Sequence, residues 1–169
     1  MARIDANTAG SQNVVAFLDM IAHSEIGPKL LSVSDDGYNV IVGGTFMDDR
    51  GTPEYFDDYA DHPRQRIWLP KLKLYSTAAG RYQHLARYFD AYKAKLHLPD
   101  FSPLSQDLIA IQQLRETRAL PLIMEGNLAG AINRCANIWA SLPGAGYGQH
   151  ENKLSDLQLA YLNAGGGLA

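Results

Sequence analysis

The stretch Ala16-Phe17-Leu18-Asp19-Met20-Ile21-Ala22-His23-Ser24-Glu25 is an apolar helical run that arrives at a carboxylate, and Gly27-Pro28 break the chain directly after it. A helix C-terminus carries partial negative charge, so Glu25 is not placed there for helix stability. The same field, with apolar neighbours, favours the protonated carboxyl. A carboxyl that keeps its proton near neutral pH is what general acid catalysis requires. The plainer alternative is a solvated surface glutamate, and this stretch alone leaves both readings open.

Other chemistries find weaker support. His23-Ser24-Glu25 holds the residue types of a hydrolase triad, but three consecutive residues cannot converge on one reacting centre, and no nucleophile elbow is present. His23, His62, His84, His97 and His150 show no paired metal spacing. Asp61-His62 and the nearby acids offer at most a weak cation site, for which a solvated acidic segment is the simpler reading. Gly144-Ala145-Gly146-Tyr147-Gly148 follows a helix rather than a strand, so it is not a dinucleotide fingerprint. No metal or cofactor is expected. Polysaccharide cleavage asks instead for one carboxyl to protonate a glycosidic oxygen, and sometimes a second to attack or to activate water. Glu25, nine tyrosines and the pairs Tyr82-Gln83 and Tyr147-Gly148-Gln149 match that list, although each alone is more ordinary as packing.

The elements that must position these residues read as α+β. After a polar lead-in over residues 1–10, Ser11 or Asn13 caps a helix whose Val14, Phe17, Leu18 and Ile21 form one apolar stripe. An irregular link follows Gly27-Pro28, and Ser34-Asp35-Asp36-Gly37 signals a turn. Tyr38-Asn39-Val40-Ile41-Val42 reads as a strand ending at Gly43-Gly44. Residues 45–66, acidic and aromatic without helical period, read as a long hairpin or lip, exposed and mobile, and long loops of this kind are usually functional. Residues 75–83 read as a last extended segment. Helices are then predicted from about residue 83, from Ser102-Pro103, from Asn127 through Trp139, and over 151–163, with a short apolar turn or helix over 120–124 and a glycine-rich loop at 143–149. The expectation is a single domain, 1–169, with a small antiparallel sheet set beside a helical bundle.

Size and charge bound the partners. The 169 residues are enough for one sizeable core. A formal charge of -3 and a pI near 5.9 give no footprint for nucleic acid. Cys135 is the only cysteine, which excludes an intrachain disulfide. No apolar run approaches a membrane span and the N-terminus lacks a signal-peptide pattern, so neither stable membrane association nor self-directed export is expected.

The residues then carry a specific resemblance. Phe17 to Glu25, Gly37-Tyr38-Asn39-Val40-Ile41-Val42-Gly43-Gly44, Asp61-His62-Pro63-Arg64 and Pro70-Lys71-Leu72-Lys73 follow in order. So do residues 76–83, Asp100-Phe101-Ser102-Pro103 and residues 137–149. Across roughly residues 14–165 the chain resembles the lambda-type phage endolysins, the transglycosylase branch of the lysozyme superfamily. The resemblance implies a lysozyme-like fold with a glycan cleft and cleavage of the β-1,4 bond between N-acetylmuramic acid and N-acetylglucosamine. The product would carry 1,6-anhydro-muramic acid, formed without water. Glu25 falls on the family's catalytic glutamate, while Tyr38, Ser76, Thr77, Tyr82, Gln83, Tyr147 and Gln149 are expected to contact substrate.

Two departures stand out. Asn39 occupies a position where the family pattern often has Asp, which removes one candidate second carboxylate, although Asp35 and Asp36 remain. The segment from Thr45 to Tyr59 is longer than the family's usual lip, and it is expected to close over the cleft and exclude water. The implied setting is a monomer made in the cytoplasm of a Gram-negative host, with a membrane-permeabilising holin giving it access to the peptidoglycan. The rivals are a hydrolysing muramidase and a glycan-binding protein that has lost catalysis.

Overall fold

The computed structural model describes residues 1–42, 53–148 and 150–169. They form two compact units: residues 1–25 with 110–169, and residues 26–109. The helices are α1 (Ala6–Ala9), α2 (Gln12–Ile26), α3 (Pro28–Val33), α4 (Ala86–Leu96), α5 (Pro103–Glu116), α6 (Leu120–Met124), α7 (Leu128–Cys135) and α8 (Leu154–Asn163). The strands β1 (Ile67–Leu69) and β2 (Leu74–Ser76) lie between α3 and α4. The unit boundaries fall in the last turn of α2 and within α5.

In the first unit, α2 is the central element. Val14, Phe17, Leu18 and Ile21, the predicted stripe, are fully buried, and so are Ala16, Met20 and Ala22. A helix apolar on nearly every side is a core helix, not a surface one. Polar side chains fix its first turn. Asn13 Nδ2 donates to the Ile123 carbonyl at the end of α6 (3.2 Å), and its Oδ1 accepts from Gly167 N–H (2.9 Å). Gln12 Nε2 donates to the Ala164 carbonyl after α8 (3.1 Å). Asn127 caps α7 as expected, its side chain accepting from Gly130 N–H. That helix stops at Cys135, and Asn137-Ile138 continue as turn, with Trp139 buried beyond them. Burial raises the Cys135 thiol to about 12, and its Sγ donates to the Ala131 carbonyl, so this cysteine is an inert core residue.

The second unit holds the sheet, but not where the sequence put it. Residues 38–42 contribute only isolated bridges, Val40 to Tyr55 and Ile41 to Ala79. The paired strands are β1 and β2, antiparallel, with Trp68 opposite Tyr75. Val40 and Ile41 are instead buried (2% and 1% exposed). Their apolar character reports burial, which propensity alone does not separate from a strand. The link after Gly27 is the short helix α3, opened by Pro28 at its first position.

The expected lip divides into two parts. Residues 43–52 and Gln149 lie outside the described residues. From residue 53 onward the segment is largely exposed, as expected, but it is pinned at particular side chains. Phe56 is buried with Ile41, Ala79, Phe89, Leu98, Phe101 and Ile109, and Tyr59 packs against the same cluster. The Tyr59 hydroxyl donates to Asp35 (2.7 Å), and Phe56 N–H to the Asn39 carbonyl (3.0 Å). Phe56 and Tyr59 are thus packing residues, while Tyr55 is exposed.

Asp61-His62-Pro63-Arg64 is likewise structural. His62 is wedged between Phe89 and Phe101, with ring centroids at 5.8 and 4.7 Å, and burial lowers its pKa. Arg64 bridges Asp61 (3.0 Å) and Asp90 on α4 (2.6 Å), and Lys93 also pairs with Asp61 (3.5 Å). Asp61, the acid at the centre of the suggested cation site, already holds two cationic side chains. Among the described residues no group of three or more potential ligands could hold a metal.

Candidate active site

Glu25 occupies the penultimate position of α2, one residue before the helix ends, and it is half-buried. Gly27 turns the chain out at φ +81°, a conformation that L side chains rarely adopt. Burial raises the proton affinity of the carboxyl, while the hydroxyl of Ser141 opposes that rise by bonding to the ionised form. Ser141 Oγ donates to Glu25 Oε1 at 2.5 Å. Behind Ser141 lies Ser24, its Oγ at 2.7 Å from that of Ser141. Asn152 Nδ2 donates to Ser24 Oγ (3.0 Å) and lies 3.3 Å from the carbonyls of both serines. The carboxyl is therefore held at a polar chain that ends on it, in a setting that favours its protonated state. Those are the properties of a group that can give up and recover a proton.

Ser141 and Asn152 flank the glycine-rich loop, and Glu151 ties that loop to itself. Its carboxylate accepts from Gly144 N–H (2.9 Å) and Gly146 N–H (2.8 Å), and these backbone donors hold its pKa below the ordinary carboxylate range. Tyr147 stands on the loop, 54% exposed, with its hydroxyl donating to the Asn137 carbonyl (2.9 Å).

The other expected contact residues belong to the second unit, and several are placed differently from the expectation. Tyr38 and Tyr82 are core residues. Both hydroxyls donate to Oδ1 of the fully buried Asp107, at 2.7 and 2.6 Å. Burial, together with the charge of Asp107, raises the Tyr82 phenol well above its usual value. Arg81, equally buried, stacks on the Tyr38 ring at 5.1 Å and pairs with Asp36 (2.8 Å). Gln106 completes this cluster, donating to the carbonyls of Tyr38 and Phe101 and accepting from Arg81 N–H. A Cβ at Gly80 would lie 2.2 Å from Gln106 Oε1, which accounts for glycine there.

The Ser76, Thr77 and Gln83 side chains are also engaged within the fold. Ser76 is buried, its Oγ accepting from Ala78 N–H (3.1 Å). Thr77 Oγ1 accepts from Ala86 N–H (3.1 Å) at the start of α4. Gln83, at φ +50°, donates from Nε2 to the Gly80 carbonyl (2.9 Å). An aromatic residue in a motif reads the same whether it stacks on a ligand or fills a core, and for Tyr38 and Tyr82 burial and partners separate the two.

The comparison with known proteins decides the lineage. Residues 15–168 match the family model described as endolysin. The chain belongs to the endolysin family. It is 53% identical to the endolysin of Escherichia phage lambda over 153 residues, covering 89% of this chain and 90% of the relative. It is 50% identical to that of Escherichia phage P2 over 159 residues, with 92% and 94% covered. Its fold matches a solved structure of bacteriophage lambda lysozyme complexed with a chitohexasaccharide, with TM-score 0.84 and 47% identity over the whole of both chains. A second structure of lysozyme from bacteriophage lambda matches with TM-score 0.81. The lysozyme-like α+β fold expected from the sequence is the fold observed, largely helical with one small antiparallel sheet.

Ser24, Ser141 and Asn152 were not singled out in the sequence of this endolysin-family chain. Ser24 lay inside the Glu25 motif and Ser141 inside the 137–149 motif, but neither carries a local signal. The bonds from Ser141 to Glu25 and from Ser24 to Ser141 and Asn152 join positions more than a hundred residues apart.

Proposed function

We propose that this chain is a peptidoglycan-cleaving lytic transglycosylase in which Glu25 is both acid and base. It gives its proton to the glycosidic oxygen as the bond from muramic acid C1 to that oxygen breaks. The C6 hydroxyl of the same muramic acid then attacks C1, and the Glu25 carboxylate takes up the hydroxyl proton. The glutamic acid is regenerated, the new chain end is a 1,6-anhydro ring, and no water is consumed.

The observation that carries this reading is the isolation of Glu25. Among the described residues, burial is what raises its proton affinity, and no neighbouring carboxylate contributes. A pair of carboxylates dividing acid and nucleophile roles would couple their titrations. Asp35 and Asp36, the remaining candidates near the Asn39 departure, are committed to Tyr59 and Arg81. The relationship to phage endolysins, and the sugar hexamer bound to the lambda lysozyme, support a glycan strand as substrate.

The second reading is a hydrolysing muramidase on the same bond, favoured by the likeness to bacteriophage lambda lysozyme. The mass of the products from digested sacculi separates the two. Anhydro ends support the proposal, and reducing ends overturn it. Among the described residues no helix is long and apolar enough to cross a membrane. We place the enzyme, as a monomer, in the host cytoplasm until a holin opens the membrane and admits it to the periplasmic wall. Lysis by the expressed chain only when the inner membrane is permeabilised tests that placement.

A further inference from the structure

We propose that Asn152 is a positioning residue for Glu25: acting through Ser24 and Ser141, it fixes the direction of a hydroxyl relay and so sets which protonation state of Glu25 the site favours. The proposal rests on the reading of Glu25 as the acid and base.

The direction follows from donor and acceptor chemistry. Asn152 Nδ2 faces two backbone carbonyls, those of Ser24 and Ser141, each at 3.3 Å. Carbonyl oxygens only accept, so the amide group turned toward them is the NH2, and its orientation is not interchangeable with the oxygen. The Asn152 main chain is fixed as well, its N–H donating to the Ser141 carbonyl at 2.8 Å.

With an NH2 group 3.0 Å away, Ser24 Oγ receives a hydrogen bond and sends its own proton elsewhere. The acceptor in reach is Ser141 Oγ, at 2.7 Å. Ser141, having accepted from Ser24, donates its single proton to Glu25 Oε1. The relay Asn152, Ser24, Ser141, Glu25 thus has one direction, and it ends as a donor on the carboxylate. A proton on Oε1 facing Ser141 would force the chain to reverse, and the Ser24 hydroxyl proton would then lose its acceptor in the relay, because the Asn152 NH2 only donates. The relay resists the protonated acid, while burial promotes it.

No charged side chain competes for this control among the described residues. Burial and Ser141 are what act on Glu25. His23, its neighbour on α2, does not contribute, and Lys153 beside Asn152 does not either. Glu151 directs its carboxylate to Gly144 and Gly146.

The test uses two uncharged variants, Asn152→Leu and Ser24→Ala, so that no new charge alters the titration. Carboxyl carbon NMR follows the Glu25 resonance, assigned by its loss in Glu25→Gln. Either variant removes a link that orients the Ser141 hydroxyl toward the Glu25 carboxylate, which weakens the preference for the ionised form. The midpoint is expected to rise by on the order of one pH unit, the scale of one hydrogen bond to a charged group. The double variant should rise no further than the larger single effect, because both changes cut one chain. A merely structural role would lower stability and leave the midpoint in place.

An unchanged midpoint in folded Asn152→Leu overturns the proposal. If that variant does not fold, an unchanged midpoint in Ser24→Ala does the same. Failure of the catalytic reading looks different: Glu25→Gln would remain active while the midpoints still moved.

Discussion

The hydroxyl of Ser141 donates to Oε1 of Glu25 at 2.5 Å, a contact between the end of α2 and the threshold of the glycine-rich loop. It places a donor on the carboxyl whose burial otherwise favours the neutral acid. Two opposed effects of this kind can bring a carboxyl into the range where both of its protonation states are accessible, as a group that acts in turn as acid and base requires.

Glu25→Gln should fold and lose lytic activity by a factor of about 100 or more, the scale of general acid–base catalysis. Near-normal turbidity clearing by the folded variant contradicts the role. The same variant carries a stability signature. The folded pKa of Glu25 lies above its ordinary value of 4.5, so the folded state binds the proton more tightly than the unfolded chain. The wild type therefore loses stability as pH rises from the ordinary value through the raised one, where the buried group must ionise. Glu25→Gln should gain on the wild type across that interval in paired melts. A constant difference between the two at every pH would refute the raised affinity.

Tyr82→Phe tests the placement of Tyr82 in the core. Removing a donor from the buried Asp107 should cost roughly 1–3 kcal/mol of stability and leave KM for peptidoglycan unchanged. A stable variant with a raised KM would return Tyr82 to the substrate surface.

What could be read from the sequence, and what could not, divides along sequence separation. The stripe of α2, the carboxylate at its end and the Asn127 cap depend on neighbours within a few residues, and all three are legible. The relay onto Glu25 joins positions 24, 25, 141 and 152, so only the folded chain reveals it. Tyr38 and Tyr82 show a different limit. Their motif was visible, but an aromatic residue near a glycine turn suits a sugar platform and a core equally well, and Asp107 is what distinguishes them. The hairpin went unread at Ile67–Leu69 for a local reason, because its strands are only three residues each and Pro70 follows the first.

Glu151→Gln should loosen the glycine-rich loop, since a neutral amide offers one oxygen where the carboxylate uses both. Amide exchange at Gly144 and Gly146, corrected for intrinsic rates, should speed up. In the wild type the lowered pKa of Glu151 means that the tether is complete above the ordinary carboxylate pKa and is lost as pH falls through the depressed one. Unaltered exchange in the variant would show that the loop is held by other contacts.

His84 predicts acid sensitivity of the second unit. Burial lowers its pKa from 6.5 to about 4, so the unfolded chain takes up a proton that the folded one refuses. Stability should fall as pH drops from 6.5 toward 4, by up to about 3 kcal/mol. His84→Gln should flatten that part of the pH profile in urea melts, and an equal slope in both proteins would exclude His84 as its source.

The central claim is one glutamate acting twice on a glycan without water. Mass spectrometry of the muropeptides released from purified sacculi tests it directly. The account predicts muramic acid ends lighter by one water, as 1,6-anhydro rings, from the earliest time points. Hydrated reducing ends as the primary product would contradict it and require a second catalytic group to activate water or form a covalent intermediate.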